Sequence, residues 1–238
     1  MKQFSIITIC LNEADAIRKT CESIVEQTSR DFEWIVVDGA STDGTLGVLE
    51  KFRKRIDCLM SEKDEGIYDA MNKGIALASG RYVIFMNGGD AFAAKNVLEK
   101  VANAPQKDLI YGDLFFDHVG GKRKSYSDNL ENGYLLKNMI AHQAAFYRRE
   151  LFTKFGVFDT TYRMAGDYEF FVRLMEKGKV SHHHCPTPLA VFNTDGISGD
   201  KRYRTTRKQE NHRIRKHYFP KYRRSLKAFR QELRDLIG

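Results

Sequence analysis

The first ninety residues alternate short apolar runs with amphipathic stretches, and most runs close on turn residues or a carboxylate. Residues 5–11, 34–38, 58–60 and 82–86 read as strands, being short, apolar and rich in β-branched or aromatic side chains. Between them, Ala16, Ile17, Thr20, Ile24 and Val25 form a helical stripe. Leu46, Leu49 and Phe52 begin a second, and Ile67, Ala70, Met71, Gly74, Ile75 and Ala78 form a third. Asp15 is expected to cap the first helix, and Asp43 the second, ahead of Thr45. Strands that alternate with helices pair in parallel through crossovers, so the expected fold is α/β. It is a mixed, mainly parallel sheet with helices on both faces.

The second half is less regular. Residues 109–116 and 122–126 read as a strand pair joined at Gly120-Gly121, 130–139 as a helix, and 144–147 as a strand. A helix follows over 168–177, with Phe171, Leu174 and Met175 on one side. Two short strands are expected over 180–185 and 189–192, and a mostly helical segment over 203–236, interrupted at Pro220.

The charge is uneven. The chain of 238 residues carries a net +8, yet residues 201–238 hold 14 basic and 3 acidic side chains. Residues 1–200 hold 25 basic and 28 acidic, a net −3. The expected organisation is therefore a domain over 1–200 and a basic helical extension over 201–238. The acidic balance of the domain argues against nucleic acid as the partner. In the extension, Tyr203, Tyr218, Phe219, Tyr222 and Phe229 interleave with the basic residues. That pattern fits either contact with an anionic membrane surface or packing against the domain. No run approaches the roughly 18 apolar residues of a membrane span. The start of the chain lacks the pattern of a signal peptide. Cys10, Cys21, Cys58 and Cys185 are scattered, without a disulfide framework. A cytoplasmic protein is expected, with contact at the inner face of the cell membrane left open. His182-His183-His184-Cys185 resembles a metal cluster, but consecutive strand residues alternate faces and cannot converge on one ion.

Ligands of open parallel sheets bind outside the carboxyl ends of the strands. Asp38 ends the second strand, Asp43 follows in the adjoining loop, and Asp90 follows the fourth strand after Gly88-Gly89. Successive acids at strand ends suit metal, ribose or phosphate. There is no G-x-G-x-x-G after the first strand and no P-loop.

A series of blocks in order then carries a family resemblance. Ile7-Thr8-Ile9-Cys10-Leu11-Asn12-Glu13 with Val36-Val37-Asp38-Gly39-Ala40-Ser41-Thr42-Asp43-Gly44-Thr45 resembles the opening of a family 2 glycosyltransferase of GT-A fold. So do Asp64-Glu65-Gly66-Ile67-Tyr68-Asp69-Ala70-Met71-Asn72-Lys73-Gly74 and the block that ends Phe85-Met86-Asn87-Gly88-Gly89-Asp90. His142-Gln143, Phe155-Gly156-Val157-Phe158-Asp159 and Ala165-Gly166-Asp167-Tyr168-Glu169-Phe170 continue the match, which covers about residues 4–200. The likeness is to bacterial enzymes that build exopolysaccharide, capsule or lipopolysaccharide.

The resemblance implies inverting transfer of a sugar from a nucleotide-sugar, a UDP- or GDP-sugar, to a hydroxyl of a glycan or lipid-linked acceptor. It implies that Asp38 meets the base or ribose, with Asn12, Glu13 and Asp64 beside the nucleoside and Asn87, Gly88 and Gly89 along the donor. Asp90 would hold a divalent cation, Mn²⁺ or Mg²⁺, because such ions favour carboxylate oxygens and keep phosphates in their shell. Gly89 stands where the family often has a second acid, so His142 is expected to assist Asp90. Asp167 would be the general base, alone because Gly166 replaces the family's neighbouring Glu. The thinned metal motif keeps one alternative open, a non-catalytic relative that binds nucleotide-sugar or glycan.

Overall fold

The computed structural model describes residues 1–117, 121–130, 132–136, 138–197 and 199–219. Nine strands form one sheet: β1 (Phe4–Cys10), β2 (Phe32–Asp38), β3 (Cys58–Ser61), β4 (Tyr82–Phe85), β5 (Ala91–Phe92), β6 (Leu109–Phe116), β7 (Arg123–Lys124), β8 (Ala145–Arg148) and β9 (His182–Phe192). The helices are α1 (Ile17–Val25), α2 (Thr45–Glu50), α3 (Ile67–Leu77), α4 (Val97–Ala102), α5 (Asn132–Leu135), α6 (Glu150–Phe155), α7 (Gly166–Lys177) and α8 (Arg204–Tyr218). The strand order is β3-β2-β1-β4-β8-β6-β9-β5, with β7 beside β6.

The β3-β2-β1-β4 half is wholly parallel. Both faces of these strands are covered, which is why β1 and β4 are buried along their whole length. Across the seam the sheet becomes mixed: β8 is antiparallel to β4 and β6, whereas β9 runs parallel to β6. The parallel half thus brings the carboxyl ends of β1, β2, β3 and β4 to one edge.

Several expectations are corrected. The two strands expected over 180–185 and 189–192 are one, β9. Pro186 and Pro188 break its apolar pattern, and the register against β6 shifts at Asp113. Asp15 caps nothing: α1 begins at Ile17, with Ala16 at the cap position and no side-chain cap bond. The Glu13 carbonyl instead accepts the N–H groups of Ala16 and Ile17. Of the helix expected over 130–139, the described helical residues are those of α5. The short elements α4, α6 and β5 had no clear pattern in the sequence.

Aromatic packing fixes α7 on the sheet. Phe170 is fully buried and stacks on Phe152 at 4.9 Å between ring centres. Phe158 and Tyr147 meet it edge-on. Burying one such ring stabilises by about 1.5–3 kcal/mol. The seat it makes holds Asp167, the second residue of α7, over the end of β4 and its loop.

Residues 204–219 of the expected extension pack on the domain. Ile214 is fully buried in the common core, and the Tyr218 hydroxyl donates to Glu169 Oε1. Residues 220–238 lie outside the described residues. Among the described residues no helix is long and apolar enough to cross a membrane.

Candidate active site

The loops at the carboxyl edge enclose a cavity of about 630 Å³, within the usual size of small-molecule sites. Of the expected residues, Glu13, Asp64, Asn87, Gly88, Asp90 and His142 line it. Gln143, Arg163, Asn193 and Tyr203 line it as well.

Two loops are sewn together behind it. Asn12 is left-handed, with φ of 54°, and its side-chain oxygen accepts the Thr42 N–H at 2.9 Å. Its own N–H donates to Ser41 Oγ at 2.8 Å. Asp43 accepts from the N–H and hydroxyl of Thr45, at the start of α2, and from Ala14 N–H. These bonds pull the Asp43 carboxyl below its ordinary range, the Thr45 hydroxyl contributing most. Asn12 and Asp43 therefore shape the loops and do not line the cavity.

Asp38, expected to meet the base or ribose, is fully buried and does not line the cavity. Its oxygens accept from Ser61 Oγ at 2.6 Å, Ser41 N–H at 3.0 Å and the Cys10 thiol at 3.7 Å. A buried carboxylate needs such partners, and here they tie the ends of β1, β2 and β3 together. Burial, with Asp38 beside it, pushes the Cys10 thiol far up, so the thiol stays protonated and donates. Asp64 presents a carboxylate to the cavity instead. Its Oδ1 accepts Gly66 N–H at 2.9 Å, and a Cβ at Gly39 would lie 2.5 Å from its Oδ2. Only glycine at 39 lets Asp64 lie so close over the end of β2.

Asp90 is 3% exposed. Its Oδ2 accepts from the Gln143 side chain and its Oδ1 from Asn193 N–H, each at 2.8 Å. Burial pushes its carboxyl up to about 6, partly offset by the Asn193 N–H, His142 and Gln143. Glu13 is also raised, by burial first and then by Asp90 and Asp43. Gly89 explains the missing second acid. It has φ of 87°, and a Cβ there would fall 2.1 Å from Asn193 Nδ2. A carboxylate at 89 would have to push the Asn193 side chain aside and sit in a left-handed backbone.

His142, expected on the metal beside Asp90, has a protein partner at each ring nitrogen. The Asn87 side-chain nitrogen lies 3.1 Å from Nε2, so Nε2 accepts and Nδ1–H donates to Asp167 Oδ2 at 3.2 Å. The other Asp167 oxygen accepts from the Tyr68 hydroxyl at 3.0 Å and Tyr168 N–H at 2.9 Å. Asp167 stands directly behind His142 and Tyr68; its side chain keeps 16% exposure and is not among the residues that line the cavity.

Residues 5–172 match the sequence model of "Glycosyl transferase family 2". The chain belongs to this family. A PGL/p-HBAD biosynthesis glycosyltransferase of Mycobacterium tuberculosis is 33% identical over 200 residues, 81% of this chain and 77% of that one. The fold is that of S. aureus TarS, solved with UDP, at a TM-score of 0.67 and 23% identity over 81% of this chain. The chain spans 60% of that structure's length. It is shared too by a mannosyltransferase of Pyrobaculum calidifontis, solved with GDP-Man and Mn²⁺, at a TM-score of 0.67, 21% identity and 98% coverage of this chain. That structure is covered to 68%. The protein is a glycosyltransferase, with the mixed α/β architecture of GT-A enzymes.

The cavity of this glycosyltransferase is strongly acidic. Glu13, Asp64, Glu65, Asp69 and Asp90 line it, and Arg163 is its one Lys or Arg among the described residues. A diphosphate entering it meets repulsion unless cations accompany it. Among the described residues no group of three or more His, Cys, Asp or Glu side chains could cage an ion. The fit is instead to a hard cation that takes most of its shell from phosphate and water. Asp90 supplies a carboxylate, and the buried Asn87 Oδ1 has no hydrogen-bond partner, an oxygen left free for such an ion.

Tyr68, Gln143, Asn193, Arg163 and Tyr203 were not singled out as site residues from the sequence. Tyr68 and Gln143 sit inside the family blocks, which is a usable signal. Asn193 and Tyr203 carry none.

Proposed function

We propose that the enzyme transfers a sugar, with inversion, from a UDP- or GDP-sugar to a hydroxyl of a glycan or lipid-linked acceptor in the synthesis of a bacterial surface polysaccharide. The observation that carries this reading is the convergence of Asp64, Asp90 and His142 on one cavity, with Asp167 bonded to His142. Support comes from the neighbours solved with UDP, GDP-Man and Mn²⁺, and from the relative named for PGL biosynthesis.

In this mechanism the Asp64 carboxylate accepts from the nucleoside. Asp167 takes the proton of the acceptor hydroxyl as that oxygen bonds to the anomeric carbon. The bond from that carbon to the diphosphate oxygen breaks on the opposite face, and its electron pair leaves with the nucleoside diphosphate. Tyr68, Tyr168 N–H and His142 hold the Asp167 carboxylate in one orientation throughout. Arg163 offers positive charge toward the diphosphate. Asp90 and Asn87 are the residues that would hold a divalent cation, which when bound stabilises negative charge on the leaving group.

A thermal-shift panel tests the reading. UDP or GDP with Mn²⁺ should raise the melting temperature, and at 100 times Kd the stabilisation should be about 2.7 kcal/mol. No shift with any nucleoside diphosphate, with or without metal, would sink it.

The lipid-linked form of the acceptor suits the basic extension. Lys201, Arg204 and Lys216 are exposed there and would face anionic headgroups at the inner face of the cell membrane. The protein should sediment with phosphatidylglycerol vesicles at low salt and not with phosphatidylcholine vesicles. Equal behaviour with both removes this part of the proposal.

A further inference from the structure

Glu210 lies in α8, and its carboxylate grips the loop before α7, more than forty positions earlier in the chain. Oε1 accepts Arg163 N–H at 2.7 Å. Oε2 accepts Met164 N–H at 2.8 Å and Ala165 N–H at 2.9 Å. These donors lead into the first turn of α7, where backbone N–H groups lack intrahelical partners. Ala165 holds the cap position and has no side chain able to cap. Glu210, on another helix, instead satisfies the N–H of this cap residue and of the two residues before it.

The grip is reinforced on both sides. The Arg213 guanidinium, also on α8, sits 4.3 Å from the centre of the Tyr162 ring and donates to Thr161 Oγ1 at 3.1 Å. Tyr203, just before α8, packs under the Arg163 guanidinium at 5.0 Å. Thr161, Tyr162, Arg163 and Tyr203 all line the cavity. One wall of the site is therefore held from α8. The seating of α8 itself is firm, through buried Ile214 and the Tyr218–Glu169 bond.

We propose that Glu210 is a positioning residue for sugar transfer, fixing through the main chain both Arg163, the basic side chain of the cavity wall, and Asp167, the base that follows two residues after Ala165. The inference rests on the assignment of Asp167 as base. Glutamate is the residue the geometry asks for, because three donors converge on two oxygens and charge-assisted bonds of this kind are the strong ones. Glutamine has one carbonyl oxygen, and its amide would turn N–H toward N–H on the other side. Aspartate keeps the chemistry and falls short by one methylene. A base displaced by about 1 Å can cost on the order of 100-fold in rate.

The test uses Glu210→Gln, Glu210→Asp and Glu210→Ala in the full chain, with Asp167→Asn as a control. Three quantities are read: amide hydrogen exchange over residues 161–167, affinity for UDP and GDP by calorimetry, and kcat and KM for donor hydrolysis across a set of UDP- and GDP-sugars. In Glu210→Gln, exchange at 163–165 should quicken about tenfold. Nucleotide affinity and donor KM should weaken by at most a few fold, through the loosened Arg163, and kcat should fall by roughly 10- to 100-fold, within the cost of misplacing a reacting group. Glu210→Asp should recover part of the rate. A role confined to stability would lower the melting temperature of Glu210→Gln and leave kcat of the folded enzyme unchanged. Unchanged exchange, or unchanged kcat where Asp167→Asn abolishes turnover, overturns the inference and spares the base. Retained turnover in Asp167→Asn overturns the base, and the exchange data then judge the loop contact by themselves. Should Glu210→Ala fail to fold, Glu210→Gln and Glu210→Asp carry the comparison.

Discussion

Asp167→Asn is expected to lower kcat by about 10²- to 10⁴-fold, the usual contribution of a positioned acid or base. The substitution keeps the size of the side chain and an oxygen for the Tyr68 hydroxyl and Tyr168 N–H. It removes the proton acceptor and turns an amide N–H toward His142 Nδ1. The nucleotide should still bind, because Asp64, Glu13 and Asp90 are untouched and Asp167 lies behind the cavity wall. Affinity for UDP or GDP measured by calorimetry should therefore match the parent. A variant that turns over donor within tenfold of the parent would show that the proton goes elsewhere, and His142, whose Nε2 faces Asn87 at the cavity, would be the next residue to test.

Asp90→Ala should abolish the dependence of nucleotide affinity on Mn²⁺ or Mg²⁺. Where the family often has two carboxylates, position 89 supplies no second one, since it is a glycine crowded against Asn193. The loss should be at least the ~10- to 100-fold that follows from disturbing a metal ligand's support. The same carboxyl gives the interaction a pH dependence. Burial raises it to about 6, so above that value it is ionised and able to hold a cation, and below it the proton competes. Metal-assisted nucleotide affinity should fall as pH drops through about 6. The sign for stability is opposite. In the metal-free chain a carboxyl raised from 3.8 to about 6 favours the fold below the ordinary carboxylate range, and that advantage is lost as pH rises through about 6. Titrating affinity and melting temperature against pH, with and without Mn²⁺, reads both trends. A metal effect that is flat from pH 5 to 8 would remove Asp90 from the cation's shell.

The parallel half of the fold was legible because its signals are local. Each strand is a short apolar run, and α1 and α3 repeat apolar residues at helical spacing over two turns or more. The mixed half was not. α4 and α6 have six residues each and β5 has two, too few for a period to show. In β9 two prolines mimic a strand boundary in the middle of a paired strand. The site divides the same way. Glu13 and Asp64 could be found because they sit in the family blocks, and Asp90 because loops at the ends of parallel strands face a common edge. Asp38 satisfied the same rule and still turned inward, since Ser41 and Ser61 offer it donors that the sequence cannot show converging. The Tyr68–Asp167 bond spans 99 positions, and the Glu210 bonds to Arg163, Met164 and Ala165 join α8 to the loop before α7. Contacts of that kind depend on how helices dock, which no local pattern encodes.

The crowding of Gly89 against Asn193 also governs how such a chain can change. Installing a paired-acid centre is eased by trimming residue 193 first, since an acid introduced before that would collide with its side chain, and the left-handed turn strains any side chain at 89 in either order. Shortening 193 alone leaves its backbone N–H on Asp90 intact, because that bond needs no side chain. The order of the two exchanges is thus favoured by sterics, and an engineer following it would keep the single-acid arrangement until the second exchange.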